Sequence, residues 1–244
     1  MTAHGPRVAI VDLGMGNLHS VSLACRHVGL SSVRTTSSGD IASADAVILP
    51  GVGAFGAAMD ALRRHELEEA LTHFVASGRP LFGICLGMQL LLEESDEFGV
   101  HQGLGLIRGS VRRLPNEPTN PHLKVPQVGW NAIFRRDEDG STDPWADTPL
   151  APLADGEVMY FVHSYYAVPR EEEVVLATTT YGGLTYCSSL LRGNVFGCQF
   201  HPERSGPRGL DIYRNWALTL GVTSDLFSLE GDHVLHHPRG EHPQ

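Results

Sequence analysis

The sequence predicts an α/β fold: an open, doubly wound, mostly parallel central sheet with helices on both faces, extended by a part rich in antiparallel strands. Three observations carry this expectation. Over the first 95 residues, short β-branched runs alternate with helix-period patterns, as parallel strands joined by crossover helices do. From about Gly105 to Phe200, strand-like runs follow one another without helical patterns between them. The 244 residues, 42 % of them hydrophobic, are enough to bury one sizeable core.

Along the chain, RVAIVD reads as the first strand, and a helix follows from Leu18 to Val28 with Asn17 placed to cap it. VRTT and DAVILPG are the next strands, a helical stretch spans about Ala57 to Ser77, and RPLFGIC is a strand that runs directly into another helix. In the second half the expected strands are LGLIRGSVRRL, WNAIF, VMYFVHSYYAV, VVLATTT, TYCSSLL and NVFGCQF, with a loop from Asp137 to Thr148. A last amphipathic helix runs from about Gly209 to Leu220, with Leu210, Tyr213, Ala217 and Leu220 at helical spacing. Residues 1–222 are expected to form one domain, and the polar, turn-rich residues 223–244 a disordered tail. That tail holds His233, His236, His237 and His242, but no carboxylate or cysteine completes a metal geometry there, so no metal is expected.

The formal net charge is −10 and the 18 basic residues are scattered, which argues against nucleic acid as a partner. No apolar run is long enough to span a membrane, and the N-terminus lacks a signal-peptide core. A cytoplasmic protein with no membrane association is expected. Cys25, Cys85, Cys187 and Cys198 form no CxxC pair, so reduced thiols are expected rather than a zinc site or a disulfide framework.

In GICLGMQ, residues 83–89, an apolar strand precedes Cys85 and an apolar helix follows, so the cysteine stands at a strand-to-helix turn on the carboxyl edge of the sheet. Backbone N–H groups at such a turn can stabilise a thiolate and a neighbouring oxyanion. Gly83 and Gly87 permit a tight turn and close approach, and Gln89, four residues on, faces the same way as Cys85. The elbow alone fits either an activated thiol or a small residue buried at a crowded turn. A base is available in NVFGCQFHPERS, where His201 and Glu203 can point to one side of an extended segment, with Pro202 keeping it out of a helix. His201 would take the thiol proton and Glu203 would orient the imidazole.

Together, GICLGMQ and QFHPE resemble the triad (class I) glutamine amidotransferase family over residues 7 to 220. The resemblance implies a type 1 amidotransferase domain, L-glutamine as substrate, and Cys85, His201 and Glu203 as the triad. LPGVGAFG, from Leu49 to Gly56, is similar to the family's glycine-rich loop after the third strand. It implies oxyanion donors at the amides of Val52 and Leu86 and glutamine contacts at Gly51, Gly53 and Gln89. GMGNL could be half of a dinucleotide fingerprint, but position 19 is histidine where a third glycine belongs, and a cap at Asn17 explains it more simply.

VDLGMGNLHS, PGVGAFG, KVPQVGWN and YFVHSYY resemble one branch of that family, the glutaminase subunits of imidazole glycerol phosphate synthases. That branch more often carries tyrosine where Leu13 stands, histidine where Gln127 stands and lysine where Arg204 stands. The resemblance implies a heterodimer with a barrel-type cyclase that receives the ammonia, faced by Asn17, Lys124, Trp130 and Asn131. Lys124 is the only lysine of the chain, and Trp130 could equally be a core residue. His163, Ser164 and Tyr165 would line the glutamine pocket. No organic cofactor is implied. A docking subunit with an idle triad, or a cysteine hydrolase acting on some other amide, would use the same residues.

Overall fold

The computed structural model describes residues 5–14, 16–115, 124–136 and 143–223. The first half follows the expected alternation. Strand β1 (Arg7–Val11), helix α1 (Leu18–His27), β2 (Ser31–Thr35), α2 (Ser38–Ser43), β3 (Ala46–Gly51), α3 (Phe55–Arg64), α4 (Leu67–Ala76), β4 (Leu81–Cys85) and α5 (Leu86–Leu90) come in turn. Then come β5 (Glu94–Ser95), β6 (His101–Gln102), β7 (Gly109–Arg113), β8 (Gln127–Arg135), β9 (Glu157–His163), β10 (Tyr165–Pro169), β11 (Val175–Tyr181), β12 (Leu184–Arg192), β13 (Val195–Cys198) and α6 (Gly206–Thr219).

The strands lie in the order β2-β1-β3-β4-β13-β12-β10-β7-β5-β6, with β11 branching from β12, β8 pairing β11, and β9 pairing β8. β2, β1, β3, β4 and β13 are mutually parallel, and β12 turns the sheet antiparallel. Alternation along β1 shows the double winding: Val8 and Ile10 join the core with α1 and α6, while Ala9 and Val11 join the core with α2, α3 and α4.

Three expectations need correction. The Ala57–Ser77 stretch is two helices, because Glu66 takes a left-handed conformation (φ 55°) between them. The helix after Cys85 is a single short turn ending at Leu90, since the following LLEES leads into the edge strand β5. VMYFVHSYYAV is two strands broken at Ser164. Of the expected loop Asp137–Thr148, residues 137–142 lie outside the described residues and 143–148 are turns as expected; within them Trp145 is fully buried and donates from Nε1 to the Leu176 carbonyl at 2.7 Å. Helix α2, capped by the Ser37 side chain, is one that hydrophobic periodicity did not suggest. The expected tail lies outside the described residues except for Thr223. Among the described residues, no helix is long and apolar enough to cross a membrane.

Candidate active site

The parallel order of β3, β4 and β13 converges on one point of the sheet edge. In the β3–β4 register Gly51 stands opposite Cys85, so Val52 and Leu86, the next residues of each segment, flank the same spot. Across β4, Ile84 pairs with Cys198 of β13, and Gln199, His201 and Glu203 follow just beyond.

Cys85 has φ 54° and ψ −110°, a conformation costly for a residue with a side chain. The glycines beside it serve the protein's own packing. A Cβ on Gly87 would stand 1.6 Å from the Leu49 carbonyl oxygen, and one on Gly83 would stand 2.9 Å from the Met88 nitrogen. Gly87 therefore lets the turn pack down onto β3, and Gly83 lets the start of α5 fold back over β4, with Cys85 between them in its strained geometry.

His201 and Glu203 come together differently from the extended arrangement expected. Pro202–Arg204 is a short 3-10 turn, and within it His201 Nδ1 lies 2.8 Å from Glu203 Oε1. Ser205 Oγ donates to the His201 carbonyl at 2.7 Å and accepts from the Tyr160 amide at 3.0 Å, which ties the turn to β9. Both side chains are buried, and among the described residues His201 Nε2 and Glu203 Oε2 meet no hydrogen-bond partner of normal geometry. Burial opposes a charge on His201, but the Cys85 sulfur and the Glu203 carboxylate outweigh it and push the imidazole up to about 10. His201 is thus poised as an imidazolium facing the cysteine. The Cys85 sulfur itself lies 3.8 Å from the Val162 carbonyl and 3.6 Å from Gln199 Nε2. The other three cysteines are buried and free; desolvation pushes the Cys25 and Cys187 thiols up to about 12.

Above Cys85 is a cavity of about 270 Å³ lined by Val52, Gly53, Leu86, Gln89, Glu97, His163, Ser164, Tyr165 and others. A wider, charged hollow against α2, α3 and α4 lies away from the cysteine. Gln89 Nε2 donates to the Tyr165 carbonyl at 2.8 Å and to Gln199 Oε1 at 2.9 Å, so both amide protons are committed. Glu97, which motif reading did not single out, accepts from the Phe55 amide at 2.5 Å. It caps α3, whose own cap residue supplies no side-chain bond, and presents a carboxylate to the cavity.

His163 is held by two contacts, Nδ1 to the Tyr165 carbonyl at 2.8 Å and Nε2 to the Tyr186 hydroxyl at 3.1 Å. Burial pushes it down to about 4, so it is neutral near pH 7. A carbonyl only accepts, so the single proton is on Nδ1 and the Tyr186 hydroxyl donates to Nε2. That hydroxyl also lies 3.0 Å from Gln127 Oε1, while Gln127 Nε2 is buried without a partner among the described residues. One hydroxyl proton cannot serve both neighbours, and turning the Gln127 amide over lets its NH₂ donate to the hydroxyl, which keeps its own proton for His163. Both His163 nitrogens are engaged, so it shapes the cavity wall.

The residues assigned to a partner face divide. Trp130 is 59 % exposed and meets the Tyr160 ring edge-on at 5.7 Å; the Arg204 guanidinium covers that ring at 4.3 Å. Val128, Phe134 and Val158 are exposed beside it on the β8–β9 ribbon. Asn131 is directed inward, donating to the Thr180 carbonyl at 3.1 Å and accepting from the Ala132 amide. Lys124 is exposed and its backbone is clasped by the Tyr181 hydroxyl. Asn17 caps α1 by accepting from the Ser20 amide at 3.4 Å. Among the described residues, no group of three His, Cys, Asp or Glu could hold a metal ion.

A family model for "Glutamine amidotransferase class-I" matches residues 9–220. The chain is 46 % identical over 212 residues to "Imidazole glycerol phosphate synthase subunit HisH" of Syntrophotalea carbinolica, covering 86 % of this chain and 98 % of the relative. It is 46 % identical over 209 residues to the protein of the same name from Moorella thermoacetica, covering 86 % and 93 %. Among solved structures, PurLQS from Thermotoga maritima aligns with TM-score 0.65 at 19 % identity, covering 88 % of this chain and 99 % of that one. A putative GMP synthase component from Thermoplasma acidophilum aligns with TM-score 0.63 at 17 % identity, covering 89 % and 95 %. The two structures share the fold described above.

Proposed function

The chain belongs to the class-I glutamine amidotransferase family, and on that premise we propose that it is the glutaminase subunit of an imidazole glycerol phosphate synthase. It hydrolyses L-glutamine to glutamate and ammonia, and the ammonia goes to a separate cyclase subunit. There it is used to make imidazole glycerol phosphate and an aminoimidazole carboxamide ribonucleotide in histidine biosynthesis. The observation that carries the reading is Cys85 held at a strained elbow under a closed-in cavity, with an imidazole pushed up to about 10 beside it.

In this reading, glutamine enters with its side-chain amide over Cys85 and its α-ammonium towards the Glu97 carboxylate. The Cys85 sulfur attacks the amide carbon, and the resulting oxyanion is held by the Val52 and Leu86 amides. His201 passes a proton to the departing ammonia, then takes one from the water that cleaves the thioester. Glu203 accepts from Nδ1 throughout, keeping Nε2 directed at the sulfur. Gly51 and Gly53 let the loop backbone approach the substrate, and Ser164 and Tyr165 line the wall with His163.

Residues 1–222 act as one domain in this account, in the cytoplasm. The β8–β9 ribbon around Trp130 is the face offered to the cyclase, with Lys124 at its approach, because an uncovered apolar cluster beside an aromatic anchor suits a partner. The test is labelling with a glutamine-mimicking chloroketone, followed by peptide mapping. One adduct on Cys85, prevented by excess glutamine, is expected; an adduct elsewhere, or one that glutamine does not compete for, rules the reading out.

A further inference from the structure

Gln199 lies just past the end of β13, fully buried, with its backbone amide donating to the Ser188 carbonyl at 2.9 Å. Its side chain touches two residues of the site. Oε1 accepts from Gln89 Nε2 at 2.9 Å, and Nε2 faces the Cys85 sulfur at 3.6 Å.

The direction of these bonds is set from outside the pair. The Tyr165 backbone carbonyl can only accept, so Gln89 must turn its NH₂ group towards it. The second proton of that NH₂ then faces Gln199, which must answer with its oxygen. Its own NH₂ is left for the sulfur. Reversing Gln199 would set two NH₂ groups against each other, and reversing Gln89 as well would press two carbonyl oxygens together at 2.8 Å. The same logic leaves Gln89 with only Oε1 for the cavity, and that atom takes part in no hydrogen bond among the described residues.

We propose that Gln199 is a further catalytic residue of this site: one buried carboxamide supplies a donor to the Cys85 sulfur and takes up the second amide proton of Gln89, whose orientation the Tyr165 carbonyl sets, so that only an acceptor meets the substrate. The first half favours the thiolate, because a charged sulfur accepts more strongly than a neutral one. The second half makes the site select a carboxamide, whose NH₂ can donate to Gln89 Oε1, over a carboxylate, which cannot. Substrate choice and nucleophile activation then share a single side chain. The proposal rests on the glutaminase reading above.

The test uses two variants in complex with the cyclase, each checked for a wild-type melting profile. The pH profile of Cys85 alkylation by iodoacetamide is read beside kcat and KM for glutamine. Gln199→Met removes both contacts: the alkylation midpoint is expected to rise by about half a unit or more, and KM to rise about fivefold as Gln89 keeps only its bond to the Tyr165 carbonyl. Gln199→Glu keeps the acceptor that Gln89 needs but sets an ionised group beside the sulfur. It should hold KM within about threefold while the midpoint rises by about one unit and kcat falls. If Gln199→Glu does not fold, Gln199→Met alone decides the matter. Folded variants with the wild-type midpoint and KM, beside an active wild-type complex, would overturn the role of Gln199 and leave the glutaminase reading standing. A wild-type complex that turns over no glutamine would overturn both.

Discussion

The sheet edge around Cys85 and the β8–β9 ribbon are incomplete in opposite ways. At the edge the side chains are buried and polar atoms go unanswered: among the described residues, His201 Nε2 and Glu203 Oε2 have no partner of normal geometry. On the ribbon, apolar side chains go uncovered: Val128 and Trp130 are each 59 % exposed. A buried polar atom without a partner costs about 1–3 kcal/mol, and beside Cys85 that cost falls on two atoms of the residues proposed to act on the substrate. An exposed apolar cluster costs little in the free protein and is repaid only when another surface covers it. The difference teaches how to tell a reactive site from a docking site within one fold.

Breaking the edge should have the largest consequences. His201→Ala is expected to lower glutamine turnover about 10³–10⁴-fold and Glu203→Gln by a smaller factor, both read as kcat with the partner present. Ammonia-dependent synthesis by the same complexes should persist, and its loss would mean that the substitutions had damaged the interface.

Next comes Gly87→Ala, which pushes a methyl against the Leu49 carbonyl at 1.6 Å. A loss of about 3 kcal/mol or more in urea unfolding is expected. A fully stable variant would show that the elbow is not held by that contact.

The two histidines should then separate by pH. His163, depressed to about 4 from its ordinary 6.5, favours the fold above about pH 6.5 and loses that contribution as pH falls through 4. On the order of 3 kcal/mol is involved, and His163→Gln should unfold less steeply in acid. His201, raised to about 10, contributes below about pH 6.5 and loses the contribution as pH rises through 10. Cys85→Ala should shrink that alkaline loss, because part of the shift comes from the sulfur.

The smallest effect belongs to the ribbon. Trp130→Ala is expected to weaken cyclase binding by about 2 kcal/mol, roughly 30-fold in Kd, with folding stability unchanged within about 0.5 kcal/mol. A drop in stability without a change in Kd would move Trp130 from docking to packing.

How much of this was legible depended on whether a residue's role is local. The inner parallel strands read clearly because β1, β3 and β4 are largely apolar runs, and Cys85, His201 and Glu203 stood out because each lies in a compact motif. Glu97 and Gln199 did not. Gln199 matters through Gln89, 110 positions away, and Glu97 through Phe55, 42 positions away, and no spacing rule links them. The short helix α5 was misjudged because LLEES continues an apolar run that a helix and a buried turn would share. Trp145 gave no periodic signal because its burial depends on Arg135 and Leu176 from other strands.

The central claim, that Cys85 releases ammonia for another chain, is tested most directly by Cys85→Ala in complex with the cyclase. The account predicts that glutamine-dependent formation of imidazole glycerol phosphate disappears while formation from added ammonium stays within about twofold of wild type. Glutamine hydrolysis that survives the substitution would contradict it.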